Sequence, residues 1–457
     1  MEKPWLKFYD PHVPKNLKYP DILLQQILDD AADHFPEKTG AFFFGGRIKY
    51  RELRAHANQF ANALRGIGFR QGDRLGILLA NMPQTIVCAF GALKAGGVPV
   101  FFNPLDQEEE LQRQLNDAEV EILVALDLVL RRVDPIFSKT KLKQFVITGV
   151  KDYLPFPRDF FFNLAAKGRG IQVKLARKPN IHLFKEFLWR GQSDLSTTDK
   201  IPGSPEEVAF ILYTSGTSGP PKGVLLTHQN LVANIMQASA WIGELEKGKE
   251  IFLSVPPFHQ AYGMTMGMNL PIFFAAMSIH LPQFEIIQVL SMFKKHRPSF
   301  FPAQPTMIER LSTNPDIAEH KVSSVKICWS IGEPLPEEVL QSFERKVGRK
   351  INEAYGLTEA SPLTHANPIL GKRKIGSIGI PLPDTDAKII DVADGAREMP
   401  MGEVGELIVK GPQVMKGYWN RPQESSRALS QGWLHTGDMA RMDEDGYFYI
   451  TGKLKKK

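Results

Sequence analysis

The chain has 457 residues, 43% of them hydrophobic, and its 56 lysines and arginines against 50 aspartates and glutamates leave a formal charge of +6. That length exceeds what one hydrophobic core serves and implies two or more subdomains, while the ordinary apolar share excludes a disordered chain. So mild a positive balance tolerates phosphates, anionic lipid or carboxylates and demands none of them, and it gives no sign of a nucleic-acid partner.

Only Cys88 and Cys328 occur, inside the apolar segments TIVCAF and VKICWS, which argues against a disulfide scaffold or zinc site and predicts a reducing, cytoplasmic setting. The opening MEKPWLKFYDPHVP lacks the apolar stretch of a signal peptide. From Asp21, ILLQQILDDAADHF spaces its apolar residues as an amphipathic helix that stops at Pro36. AFFFGGRIKY puts two glycines between extended aromatic and β-branched runs and predicts a hairpin. Alternation follows: RLGILLA (74–80) as a strand, a helix from Met82 to Ala95, VPVFFN (98–103) as a strand, EEELQRQLNDA as a helix, then EILVAL and QFVITG as strands. Such alternation predicts βαβ units and a mainly parallel sheet covered on both faces.

Residues 150–200 mix aromatics with Lys and Arg at weak periodicity. They predict a surface excursion, and the same composition would suit a membrane surface or lipid. A second βα series begins near 206 with VAFILYT, a helix after His228, and the strands IFLSVPP, SIHLP, SFFPA, VKICWSI and KINEAYG. The apolar run 263–281 is interrupted by Asn269 and Pro271 and ends beside His280, which predicts a buried core segment rather than a membrane span. Beyond 376 the short runs AKIIDV, GELIVKG and GYFYITG predict a small antiparallel β unit. The expected class is therefore α/β: two layered βα subdomains at 1–205 and 206–375, with mainly parallel sheets, and a small antiparallel β subdomain at 376–452.

Between two apolar runs lies YTSGTSGPPKG (213–223). Its glycines let backbone N–H groups approach an anion, its hydroxyls add donors, and Lys222 adds a cation, a set that suits polyphosphate. A Walker A loop is excluded, because Lys222 follows two prolines and precedes Gly223 instead of opening a helix. A linker has no use for this pattern between two strands. The stretch resembles the phosphate loop of the adenylate-forming superfamily, which includes acyl-CoA synthetases, peptide-synthetase adenylation domains and luciferases. Further segments resemble that family's motifs in the same order: PPFHQAYG (256–263), SIGEPLP (330–336), NEAYGLTEAS (352–361), GELIVKGPQVMKGYWNRP (405–422), GWLHTGD (432–438) and YITGKLKKK (449–457). The looser likeness of PWLKFYDPHVP, LNDAEVEILVALD and KDYLPFPRD is to the microbial long-chain fatty acid branch.

This resemblance implies the N-terminal domain fold of an acyl-CoA synthetase and a two-step reaction. A fatty carboxylate attacks the α-phosphate of ATP, releasing pyrophosphate, and coenzyme A captures the acyl-adenylate; Mg²⁺ is the implied metal. By the same resemblance Thr214, Ser215, Gly216, Thr217, Ser218, Gly219 and Lys222 hold the β- and γ-phosphates. Thr358 touches the α-phosphate and Glu359, with Thr214, holds Mg²⁺, although Glu359 also suits a helix-start carboxylate. Gly332, Glu333 and Pro334 line the purine edge, Tyr355 offers its face to the adenine, with ordinary packing as the plain alternative, and Gly356 and Leu357 also contact the nucleotide. Asp438 meets the ribose diol, as a carboxylate accepts from two adjacent hydroxyls, and a turn aspartate is the plain alternative.

For the acyl side the resemblance implies Phe258, His259, Tyr262 and Gly263, with Gly332 and Gly356; His259 lies near the substrate carboxylate and Tyr262 at the gate of an acyl tunnel. Met264, Met266 and Met268 suit either a compliant tunnel wall or ordinary core. Lys453 stands where the family usually has Arg, offering a point charge in place of a planar fork, and Lys456 stands at an acidic position. The family's small C-terminal domain is expected after residues 453–457, the start of its hinge, and full activity is expected to need that domain. An acyl-AMP ligase or adenylation domain for another acid or carrier, and a non-catalytic adenylate-binding module, stay open, as do peripheral contact at the inner membrane face and a homodimer.

Overall fold

A computed structural model describes residues 3–155, 157, 179–194, 203–214 and 219–454. Helix α1 (Gln26–His34) buries Ile27, Leu28, Ala31 and Ala32, the spacing predicted for one helical face. Strands β1 (Thr39–Phe43) and β2 (Gly46–Lys49) form the expected hairpin. Helix α2 (Tyr50–Gly66), not anticipated from sequence, buries Tyr50, Leu53, Ala57, Phe60, Ala61 and Leu64 along one face. The predicted alternation then appears as β3 (Arg74–Leu78), α3 (Pro83–Lys94), β4 (Val98–Phe101), α4 (Glu108–Asp117), β5 (Ile122–Leu126) and β6 (Gln144–Thr148). It continues through β7 (Ile181–Leu183), α5 (Phe184–Arg190), β8 (Val208–Tyr213), β9 (Gly223–Thr227), α6 (His228–Ile242), β10 (Ile251–Ser254), β11 (Met277–His280) and α7 (Ile286–His296). Next come β12 (Phe300–Ala303), α8 (Pro305–Ser312), β13 (Ile327–Ser330), α9 (Glu337–Val347), β14 (Ile351–Gly356), β15 (Leu363–Ala366) and β16 (Ile380–Pro381). The chain closes with β17 (Asp386–Ile390), β18 (Gly405–Lys410), β19 (Gly417–Tyr418), α10 (Pro422–Ala428), β20 (Leu429–Ser430), β21 (Trp433–Met442) and β22 (Phe448–Lys453).

Among the described residues these strands make three sheets of nine, eight and five strands. The nine-stranded sheet runs β16-β15-β14-β13-β12-β10-β11-β1-β2, parallel from β14 to β1 and antiparallel at both ends. The eight-stranded sheet runs β19-β9-β8-β4-β3-β5-β6-β7, parallel from β8 to β7. The third sheet, β17-β18-β21-β20 with β22 on β21, is antiparallel throughout. The fold is thus α/β with an added antiparallel sheet, as expected.

Two expectations need correction. A division at residue 205 does not follow sheet membership: β8 and β9 complete the sheet built by β3 to β7, and the β1–β2 hairpin extends the sheet built by β10 to β14. The hydrogen-bonding edges of β4 and β11 select those partners across the sequence, and periodicity within a strand carries no record of that choice. The 150–200 excursion is also not surface throughout. β7 pairs with β6, and Phe184 and Phe187 are buried against Phe60, with Phe187 5.3 Å from it between ring centroids. The basic and aromatic stretch at 158–178 lies outside the described residues. The apolar run 263–281 is core as predicted, Met264, Met266 and Met268 all being buried, and among the described residues no helix is long and apolar enough to cross a membrane.

Candidate active site

Open α/β sheets bind ligands beyond the carboxyl ends of their strands. Here a cavity of about 480 Å³ lies where the carboxyl ends of β4 and β8 meet those of β10, β12, β13 and β14. Its walls include Phe101 at the end of β4 and Asn103 after it, Tyr213 at the end of β8 and Thr214 after it, and His259 and Tyr262 after β10. Gln304 follows β12, Ile331 and Gly332 follow β13, Gly356 ends β14, and Leu357 and Thr358 follow it. Seven residues singled out in four separate sequence motifs, Thr214, His259, Tyr262, Gly332, Gly356, Leu357 and Thr358, therefore share one cavity.

The stretch 213–223 is the connection of an antiparallel pair, with Tyr213 opposite Gly223. Its root is closed by two hydrogen bonds: Thr214 N–H donates to the Lys222 carbonyl at 3.0 Å, and Lys222 N–H donates to Thr214 Oγ1 at 3.1 Å. Gly219 has φ +145°, a backbone region that glycine enters without strain. Ser215, Gly216, Thr217 and Ser218 lie outside the described residues. The Lys222 ammonium sits 3.0 Å from Glu424 Oε2 and 4.3 Å from the centre of the Tyr418 ring. The Tyr418 hydroxyl in turn donates to Glu359 Oε1 at 2.8 Å. Burial first, and then the neighbouring Glu359, push the Tyr418 phenol far up, so it remains a donor. Tyr418 thus links Lys222 to Glu359, a role no sequence signal assigned to it.

Toward the third sheet, the Tyr355 hydroxyl donates to Asp438 Oδ2 at 2.6 Å, and the Lys453 ammonium lies 2.5 Å from Asp438 Oδ1. Asp438 and Lys453 face each other in the β21–β22 register, and Asp438 is buried. Gly332, Glu333 and Pro334 form an exposed turn, in which Gly332 at φ +121° lines the cavity and the other two do not.

After β10, His259 lines the cavity and burial lowers its pKa to about 4, leaving a neutral imidazole near pH 7. The Tyr262 hydroxyl donates to the Trp329 carbonyl at 3.1 Å, which fixes its ring in the wall. Phe258 lies behind the cavity, fully buried and edge-on to His280 at 5.3 Å between centroids. Gly263 is required by close approach, since a Cβ there would lie 2.1 Å from the Pro257 carbonyl oxygen. Sequence alone did not single out Asp106, Glu110 and Gln114, which also line the cavity. The signal was present: positions 110, 113, 114 and 117 are polar at i, i+3, i+4 and i+7 while 111, 115 and 118 are apolar.

The family model described as AMP-binding enzyme matches residues 28–419. The chain belongs to the AMP-binding enzyme family. Within it, the chain is 43% identical over 455 residues to a long-chain-fatty-acid–CoA ligase of Bacillus subtilis (strain 168), a match covering 99% of this chain and 80% of that protein. The crystal structure of ATP-bound MatB from Rhodopseudomonas palustris superposes with a TM-score of 0.77 at 26% identity, covering 94% of this chain and 79% of that one. The structure of a long-chain-fatty-acid-CoA ligase (FadD1) from Archaeoglobus fulgidus gives a TM-score of 0.82 at 24% identity, covering 98% and 87%.

Proposed function

We propose that this AMP-binding enzyme is a long-chain-fatty-acid–CoA ligase. A fatty carboxylate displaces pyrophosphate from ATP to form an acyl-adenylate, and the thiol of coenzyme A then displaces AMP to give the acyl-CoA thioester. The observation that carries this reading is the convergence of Thr214, His259, Tyr262, Gly332 and Gly356 to Thr358 on one cavity, in a chain 43% identical to a long-chain-fatty-acid–CoA ligase. A cytoplasmic enzyme meeting the inner membrane face peripherally fits such a substrate.

The first step needs no general base, because a fatty carboxylate is already ionised near neutral pH. It needs two mutually repelling anions held in line and the charge growing on pyrophosphate stabilised. Thr214, Gly219 and Lys222 supply donors and a cation for that charge at the root of the β8–β9 connection, and Thr358 donates at the α-phosphate. Neutral His259 directs the carboxylate through an N–H and adds no competing charge. Tyr355 and the Gly332 turn flank the adenine, and Asp438 accepts from the ribose hydroxyls.

Among the described residues no three metal-ligating His, Cys, Asp or Glu side chains come together, so any metal must arrive with other ligands. The donor set of one carboxylate, Glu359, and one hydroxyl, Thr214, fits Mg²⁺, which keeps waters and takes phosphate oxygens. Bound there, Mg²⁺ would neutralise phosphate charge.

Pyrophosphate exchange by this chain carried together with the family's C-terminal domain, which full activity is expected to need, tests this directly. Palmitate is expected to support exchange far better than octanoate, acetate or amino acids, and adding coenzyme A is expected to yield palmitoyl-CoA. Exchange driven by an amino acid, or palmitoyl-AMP passed to a carrier protein but never to coenzyme A, would overturn the assignment.

A further inference from the structure

Helix α4 has two distinct faces. Leu111 and Leu115, with Ala118 just beyond, are buried in the core of the eight-stranded sheet. Glu110, Arg113, Gln114 and Asp117 form one stripe at i, i+3, i+4 and i+7, and this stripe meets the root of the β8–β9 connection. The Tyr213 hydroxyl donates to Asp117 Oδ2 at 2.8 Å and to the Gln114 carbonyl at 3.1 Å. Asp117 also pairs with Arg421 at 2.8 Å, and its carbonyl accepts from Trp419 Nε1 at 2.8 Å. Arg113 grips Glu110 with two donors, Nη2 to Oε1 at 2.6 Å and Nε to Oε2 at 3.1 Å. The same Nη2 donates to the Pro221 carbonyl at 3.3 Å, one residue before Lys222.

Glu110 matters because it lines the cavity with Thr214 and Thr358. Burial works against its charge, but the hydrogen bonds from Arg113 and Gln114 hold its carboxyl below the usual range. It is therefore an anion on the wall of a cavity assigned to polyphosphate. Its neighbour Asp106 is pushed the other way by burial. Uncompensated, the Glu110 charge would repel the β- and γ-phosphates.

We propose that Arg113 is a positioning residue for the nucleotide's polyphosphate: it pins the root of the phosphate connection through Pro221 and neutralises Glu110. Because Thr214 and Lys222 are cross-bonded, a shift at Pro221 is passed to both. A planar fork is required, since a lysine cannot grip Glu110 with two donors and reach Pro221 as well. The assignment rests on the nucleotide-binding reading above.

The test compares ATP and AMP binding by calorimetry to the full chain and its variants. If the unaltered protein binds neither nucleotide, the functional reading fails before Arg113 is at issue. Given that binding, Arg113→Gln is expected to weaken ATP about tenfold and leave AMP, which lacks the β- and γ-phosphates, within about twofold. Glu110→Gln combined with Arg113→Gln is expected to recover at least threefold of the lost ATP affinity, because the uncovered anion is gone. Should Arg113→Gln not fold, Arg113→Lys carries the same comparison, with an expected ATP loss of about threefold and AMP unchanged. Equal weakening of ATP and AMP, unchanged ATP affinity, or a double variant no better than Arg113→Gln would each overturn the proposal.

Discussion

Glu353 sits two residues before Tyr355 on β14, beside Ser330 in the strand register and close to the turn at Gly332. It is buried, and its carboxylate accepts from Gly376 N–H at 3.1 Å. Burial raises its pKa to about 7, against the opposing effects of that hydrogen bond and of Arg373. Between the ordinary glutamate range and pH 7 the folded chain keeps a proton that the unfolded chain has lost, so this residue lowers stability as pH rises through that window. Glu353→Gln keeps an acceptor for Gly376. It is expected to raise unfolding stability at pH 8 by about 1–3 kcal/mol and to change little at pH 5. Denaturant unfolding at the two pH values checks this, and equal destabilisation at both would show that the carboxylate is ionised and well paired. The sequence marked NEAYGLTEAS as a site segment, yet the buried acid within it was not legible, because desolvation depends on β13 and on residues 373–376 folding against it.

At the scale of elements, what separates the β8–β9 connection from a helix is β9. Helix α6 begins only after Thr227, whose Oγ1 accepts from Asn230 N–H at 3.1 Å while Asn230 Oδ1 accepts from Thr227 N–H at 3.0 Å. This reciprocal cap fixes the helix start a full strand beyond Lys222, so α6 does not open at Lys222, in agreement with the departure from Walker spacing. Thr227→Ala removes the cap and is expected to cost about 1 kcal/mol, read as a lower denaturant midpoint at an unchanged m-value. An altered m-value would mean that β9 frays with the helix. Helix α4 carries the complementary lesson: the sequence predicts it as a helix, while its polar stripe takes on meaning only through Tyr213, Pro221 and Arg421, which meet it in the fold.

Across the whole molecule, burial lowers the pKa of several histidines, most strongly at His228 and His259, to about 4, and at His280 and His365, to about 3. Each gains a proton on unfolding once pH drops below its ordinary value near 6.5. Their contribution is therefore complete above about pH 6.5 and declines as pH falls toward the folded values, at about 2 kcal/mol per histidine by pH 5. A steep loss of stability between pH 7 and 5 is expected, and His365→Gln should flatten it, as thermal unfolding across that range would show. An unchanged slope would mean that His365 titrates normally.

By itself the sequence determined the α/β class, most strands and helices, and the order of the nucleotide motifs, because strand and helix periodicity and glycine-rich turns are local properties of the chain. It also placed YTSGTSGPPKG between two strands without mistaking it for a helix-opening loop. Only the tertiary structure decided that β8 and β9 belong with β3 to β7, that Phe184 and Phe187 are core, and that Tyr418 and the polar face of α4 stand at the site. These depend on which strand edges pair and which surfaces lose water together, and such long-range choices leave no mark in a window of neighbouring residues.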